Sequence, residues 1–189
     1  MPSSAMSEFL PITLRTPRLS LRHLNEGDAE AYYAIFSDPL VMRYYSSAPW
    51  TSLQQARDAI ASVLADYRSG NALRFGITLA DGGALAGTIS LHHLFAQNRR
   101  CEIGYAVASA HWGQGYLSEA MQAVLDHAFT ALDMNRIEAD IDPRNPASAS
   151  ALLRAGFSKE GFMPQRWIVN GEICDTEFYG LLRSTWEAR

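Results

Sequence analysis

The chain predicts an α+β fold: one mixed, mostly antiparallel sheet of about seven strands with four helices. Three observations carry this expectation. Segments with two-residue apolar alternation are interleaved with segments of helical period, in the order β-α-α-β-β-β-α-β-α-β-β. Two connections, Asp81-Gly82-Gly83 and Asn170-Gly171, have hairpin chemistry. One glycine-bearing loop, Ser109 to Tyr116, joins a strand pattern directly to an amphipathic helical pattern.

Residues 1–11 read as a flexible leader and 12–189 as a single domain without repeats or linkers. Thr13 to Arg22 alternate and predict a first strand. Asp28 is placed to cap a helix running to about Ser37, which Asp38-Pro39 ends because the residue before proline disfavours the α region. Ser52 with Gln55 forms a capping-box pattern for a second helix carrying Ala56, Ile60, Val63, Leu64 and Tyr67 on one face, with Gly70 as its stop. Leu73 to Ala80 and Ala84 to Leu94 read as a hairpin, and Cys101 to Ala108 as the next strand. The helix after the glycine loop places Leu117, Met121, Val124, Leu125, Ala128, Phe129 and Leu132 on an apolar face. A strand at Arg136–Ile141 and a helix at Pro146–Ala155 stopped by Gly156 follow. The last hairpin spans Phe157 to Val169 and Glu172 to Leu182 around a type I′ turn.

Composition narrows the class. With 48% hydrophobic and 19% charged residues, this is an ordinary globular chain of 189 residues. Sixteen Lys plus Arg against twenty Asp plus Glu give a net charge of -4, which argues against nucleic-acid binding and suits a cationic acceptor such as an amine. Cys101 and Cys174 form no CxxC pair, so neither a disulfide framework nor a structural zinc site is expected. His92-His93 lacks metal-ligand spacing, and neighbouring strand residues should face opposite sides, so no metal is expected. No signal-peptide pattern or membrane-length apolar run is present, and a cytoplasmic protein without a membrane partner is the expectation.

The glycine loop points to chemistry. A strand, a loop and a helix N-terminus present free backbone N–H groups and about half a positive charge. Glycines at 113 and 115 let the backbone approach a phosphate, although glycines in such loops also serve merely to turn. No GxxxxGK[ST] occurs, and the third glycine of a dinucleotide fingerprint is missing. A phosphate or pyrophosphate is the ligand suggested.

In this order and spacing, several segments resemble the GNAT superfamily of acyl-CoA-dependent N-acetyltransferases, and within it the RimJ/RimL-type ribosomal-protein N-terminal acetyltransferases. They are Thr16-Pro17-Arg18-Leu19-Ser20-Leu21-Arg22, Asp38-Pro39, Cys101-Glu102-Ile103-Gly104-Tyr105, Trp112-Gly113-Gln114-Gly115-Tyr116, Asn145-Pro146-Ala147-Ser148, Gly156-Phe157, and Asn170-Gly171 with Asp175. The resemblance implies acetyl-CoA as donor and an amine as acceptor, either a protein N-terminus or a small molecule. It implies coenzyme A contacts at Val107, Gly113, Gln114, Gly115, Tyr116, Leu117, Ser118, Asn145 and Arg154, with Arg144 and Lys159 as further candidates for the 3′-phosphate. Asn145 has an alternative as a helix cap. The resemblance also implies that the strand carrying Glu102 splays from Arg136–Ile141 and leaves a slot for pantetheine. A monomer or homodimer is expected.

The implied reaction is direct attack of a neutral amine on the thioester. An α-amine with pKa near 8 costs about 1.4 kcal/mol to deprotonate at pH 7, against about 4.6 kcal/mol for a lysine side chain. Glu102 is the candidate base, with positioning of the acceptor or pairing to Arg99 or Arg100 as alternatives. Many relatives carry a tyrosine on the helix after Asn145; here that position is Leu152. Ser148 is the candidate for protonating the departing thiolate, or is an ordinary first-turn serine. Where some RimL-type members carry a glutamate base, this chain has Trp167 or its neighbour. Tyr44, Tyr45, Trp50 and Trp167 could wall an ammonium site or simply pack, and Asp175 could meet the acceptor or serve structure. Acceptors left open are a peptide or protein α-amine and a small amine such as an amino acid, polyamine or aminoglycoside. A non-catalytic acyl-CoA-binding module is the third reading.

Overall fold

In the computed structural model, residues 8–80, 82–83 and 85–189 are described. Residues 1–7 of the expected leader, and Asp81 and Ala84 of the first hairpin connection, lie outside them. Within the leader, the Phe9 N–H donates to the Tyr67 carbonyl at 2.8 Å, and its ring packs on the core.

The expected first strand is two strands, β1 (Thr13–Arg15) and β2 (Leu19–His23), folded back on one another with Thr13 opposite Arg22. Pro17 has no N–H to offer a ladder, and Thr16 closes the turn by bonding Leu19 through both backbone and side chain. Helix α1 (Ala29–Ser37) follows a 3-10 turn capped by Asn25. Asp28 does not cap α1 with its side chain; its carboxylate is taken by the Arg22 guanidinium and the Asn25 N–H. Asp38 ends α1 and caps a short helix, α2 (Pro39–Met42). Helix α3 (Leu53–Ser69) has the expected Ser52/Gln55 capping box, and Gly70 closes it at φ +69°.

Strands β3 (Leu73–Leu79), β4 (Gly87–Phe95) and β5 (Arg100–Val107) form the antiparallel centre. Helix α4 (Tyr116–Thr130) then leads to β6 (Arg136–Ile141) and α5 (Pro146–Arg154). The last hairpin is β7 (Ser158–Val169) and β8 (Glu172–Leu182), whose turn has Asn170 and Gly171 at positive φ, followed by α6 (Arg183–Glu187). The described residues thus hold eight strands and six α-helices. The excess over about seven and four comes from the Pro17 turn and from the short helices α2 and α6.

All eight strands join one sheet in the order β1-β2-β3-β4-β5-β6-β8-β7. Only β5 and β6 pair in parallel, and only over Arg100–Glu102 against Arg136–Glu138. Beyond Glu102 the two strands part, so the expected slot is present, bounded by Ile103–Val107 and Ala139–Ile141. Leu21, Phe75, Ile77, Ile89, Met121, Val124 and Phe129 are fully buried and anchor the core. No described helix is long and apolar enough to cross a membrane.

Candidate functional site

The glycine loop begins where β5 ends. Ser109–His111 forms a 3-10 turn, and Gly113 and Gly115 take φ +74° and +78°. Residues with a Cβ rarely enter that region, so both glycines are required by the backbone path. A Cβ on Gly113 would meet open space, whereas one on Gly115 would touch the Arg18 guanidinium at 3.4 Å. Helix α4 starts at Tyr116 without a side-chain cap. The N–H groups of Tyr116, Leu117 and Ser118 therefore have no intrahelical acceptor and point out at the loop. Leu117 packs its side chain against the core, so its bulk leaves its amide accessible.

A clamp that sequence reading did not identify holds this loop. The Arg18 guanidinium donates to the Gln114 carbonyl at 2.9 Å and pairs with the Glu119 carboxylate at 2.6 Å. Glu119 also accepts from the Thr16 hydroxyl at 2.6 Å and the Arg18 N–H at 2.9 Å. Although Glu119 loses some solvation, these donors hold its carboxyl below the usual range. The turn between β1 and β2 is thereby tied to the first turn of α4. Trp112 bonds the Val107 carbonyl through its indole N–H at 2.8 Å, and the Gln114 amide donates to Ala110.

At the far side of the slot, Asn145 caps α5: its Oδ1 accepts from the Ser148 N–H at 3.0 Å. Its amide nitrogen takes no part in that bond. Ser148 is buried, and its hydroxyl lies 2.6 Å from that of Tyr105 on β5. Burial, partly offset by that bond, pushes the Tyr105 phenol up to about 12, so it stays protonated. Leu152 is a core residue. A tyrosine hydroxyl nonetheless stands beside Ser148, supplied from β5. Arg154 is exposed on the last turn of α5. Arg144 is held by Asp142 and Glu172, and Lys159 by Glu177 at 2.6 Å.

Glu102 sits where β5 and β6 part. Neither expected arginine holds it: Arg99 pairs with Asp133 and Arg100 with Glu138. Its carboxylate instead lies 3.0 Å from His93 Nδ1 and 3.8 Å from His92 Nε2. The expectation that the two histidines face opposite sides is overturned. His92 is the cross-strand partner of Glu102, and one extra residue in β4 between His92 and Phe95 forms a bulge. His93, at φ +47°, absorbs that residue, and a bulge breaks the two-residue alternation. Burial first, and the neighbouring His93 second, push the His92 imidazole down to about 4 against the opposing pull of Glu102. Asp140 on β6 is raised above the ordinary carboxylate range chiefly by burial, with Arg166 opposing and the Glu102 charge adding. Sequence reading had given it no role.

The aromatic candidates separate. Trp50 stacks on Phe36 at 4.8 Å and meets Tyr32 edge-on, so it packs. The Tyr45 hydroxyl donates to the Tyr105 carbonyl at 3.1 Å, and burial pushes its pKa up. Tyr44 and Trp167 lie beneath the guanidiniums of Arg43 and Arg166. Asp175 accepts from the Gln165 N–H at 2.8 Å, a structural bond.

The structure holds a splayed strand pair, a helix N-terminus without a side-chain cap behind two left-handed glycines, and a carboxylate at the fork. Residues 18–158 match the acetyltransferase (GNAT) domain family. The chain belongs to the GNAT acetyltransferase family. It is an enzyme that acetylates amines, with acetyl-CoA as donor. YoaA of Bacillus subtilis (strain 168), described as an uncharacterized N-acetyltransferase, is 39% identical over 170 residues, 90% of this chain and 96% of YoaA. The crystal structure of a probable acetyltransferase superposes with a TM-score of 0.84 at 29% identity, covering 93% of this chain and 99% of that one. The spermidine N-acetyltransferase of Vibrio cholerae, solved with CoA and spermine, shares the fold with a TM-score of 0.81 at 23% identity, covering 91% and 99%. In this GNAT enzyme the loop suits a pyrophosphate: the first N–H groups of α4 have no side-chain cap, and the space beside Gly113 is open.

Proposed function

We propose that this enzyme is of the RimJ/RimL type and acetylates the α-amine of a protein or peptide, with Glu102 as base and Ser148 as the partner of the departing sulfur. The observation that carries this reading is the placement of Glu102 at the fork of β5 and β6, with the Ser148–Tyr105 pair further along the same opening. The amides of Gly113 to Ser118 hold the pyrophosphate, the Asn145 amide nitrogen contacts the cofactor, and Arg154 meets its 3′-phosphate.

The amine nitrogen attacks the acetyl carbonyl carbon as its proton passes to the Glu102 carboxylate, directly or through one water. The C–N bond forms and the C–S bond breaks, leaving the electron pair on sulfur. Ser148 donates its hydroxyl proton toward that sulfur and draws one from Tyr105, whose proton is restored from solvent as Glu102 releases the amine proton there. Two curated relatives support a protein acceptor, since their names refer to the ribosome or its proteins. The Escherichia coli (strain K12) ribosomal-protein-serine acetyltransferase is 34% identical over 95 residues, half of this chain, and YdaF of Bacillus subtilis (strain 168), a putative ribosomal N-acetyltransferase, is 37% identical over 105 residues.

A polyamine acceptor is the second reading. It is favoured by Asp140, whose carboxylate adds to that of Glu102 at the fork, and by 24% identity over 169 residues to the spermidine N(1)-acetyltransferase of Vibrio cholerae. The deciding experiment follows thiol release from acetyl-CoA with peptides of different N-terminal residues and with spermidine. Faster turnover of peptides whose N-terminus is free than of N-blocked peptides or spermidine is expected. Preference for spermidine overturns the α-amine reading.

A further inference from the structure

We propose that His92, His93 and Glu102 form a binding site for one divalent transition ion of the zinc class, and that filling it withdraws Glu102 from the amine. The second half rests on Glu102 being the base; the first does not. One donor atom from each residue lies within 4.8 Å of the other two. Zinc bound at about 2.0–2.1 Å to tetrahedral ligands sets neighbouring donors about 3.3–3.4 Å apart. The two approaches to Glu102, 3.0 and 3.8 Å, bracket that spacing, and the separation of the two imidazole donors, within 4.8 Å, closes by rotation of the exposed His93 side chain.

The backbone builds this convergence. Without the bulge, His93 would lie on the opposite face from His92; the left-handed turn at His93 brings both rings to one face, with centroids 5.0 Å apart. Across the ladder, Gly104 leaves room for the His92 ring, since a Cβ there would stand 3.1 Å from its Cε1. The Ser90 hydroxyl lies 3.5 Å from His92 Nδ1, on the ring side away from Glu102, where an outer-shell partner would orient a ligand imidazole. His93 is exposed, which leaves a coordination position for water. Two imidazoles and a carboxylate are borderline donors, suited to zinc, cobalt or nickel rather than magnesium or calcium.

Cobalt(II) titration of the chelator-stripped, full-length protein tests the site, read by visible d–d absorption. Coenzyme A is omitted because its thiol is itself a zinc ligand. One cobalt ion per chain, displaced by one equivalent of zinc, is expected. His93→Ala changes an exposed side chain and should weaken binding at least about 100-fold, beyond the loss typical of an outer-shell change. His92→Asn should do the same, with circular dichroism reporting on the fold. His111→Ala, outside the cluster, should bind as wild type does. Absence of stoichiometric binding, or an unchanged cobalt spectrum in His93→Ala, overturns the site.

Turnover is the second arm. Zinc should inhibit the wild type with the occupancy measured by cobalt displacement, and a chelator should restore it. Binding without inhibition overturns the regulatory half. Glu102→Gln assayed in chelator tests the base separately: full activity there refutes the base while the cobalt result still decides the site.

Discussion

The Tyr105 and Ser148 hydroxyls lie 2.6 Å apart and join strand β5, beyond its parting from β6, to the first turn of α5. Either oxygen can donate in this bond. Its protein partner on the other side is the Asn145 cap, which fixes the Ser148 backbone at 3.0 Å. The arrangement places a tyrosine hydroxyl beside Ser148 even though Leu152 fills the helix position.

Ser148→Ala should lower kcat about 10- to 100-fold, at the low end of acid catalysis because a thiolate is a tolerable leaving group. Tyr105→Phe should lower it less, and the double variant should be no slower than Ser148→Ala within about twofold, since both act on one proton path. Steady-state kinetics checks this. Independent, multiplying losses would show that the two hydroxyls do not work together.

Glu102→Gln should cost about tenfold in kcat/KM for an α-amine near pH 7, matching the roughly 1.4 kcal/mol needed to deprotonate it. For an amine of lysine-like pKa the loss should be larger. Comparing the two acceptors as a function of pH measures the difference. Equal losses would assign Glu102 to positioning.

Arg18→Ala should raise the KM for acetyl-CoA several-fold with little change in the KM for the amine. Arg18 touches the loop through Gln114, Glu119 and the face of the Tyr116 ring, and half its side chain faces solvent, which moderates the effect. Initial-rate kinetics with each substrate varied separates the two constants. Gly113→Val should weaken coenzyme A binding more strongly, because a β-branched residue resists φ +74°; calorimetric titration with coenzyme A reads it.

Stability should fall in acid through Asp28. Burial alone would raise its carboxyl, but the bidentate Arg22 guanidinium and the Asn25 N–H hold it below the ordinary value. A group depressed in the folded state stabilises above its unfolded pKa and loses that contribution as the pH falls through its folded pKa. Urea denaturation should therefore show wild type losing stability below about pH 4. Asp28→Asn should be less stable at pH 7 and flatter in acid.

Local chemistry made many elements legible. Ser52 with Gln55, Gly70, Gly156 and Asn170-Gly171 each stop or start a segment through bonds within a few residues, and all lie where the pattern placed them. The first strand was misread because apolar alternation continues on both sides of Pro17, and only the missing ladder hydrogen reveals the turn. Glu102 and Ser148 entered as candidates through the family resemblance, and the loop residues through glycines set directly ahead of a helical pattern. Arg18 was not legible, because its partner Glu119 is a hundred residues away, and the Asp140 carboxyl is raised only in the folded chain, by burial with the Glu102 charge adding and Arg166 opposing.

The sequence by itself pointed to a phosphate-bearing ligand, through glycines that admit left-handed φ followed at once by an amphipathic helix, and its resemblance to the GNAT superfamily named acetyl-CoA as the donor. Tertiary structure decided which side chains meet at the fork. Which side of a strand a residue occupies depends on pairing with distant strands, and one extra residue in β4 changed the answer for His93. Likewise, Tyr105 and Ser148, far apart in the chain, became partners only when β5 and α5 were brought together around the parting of β5 and β6.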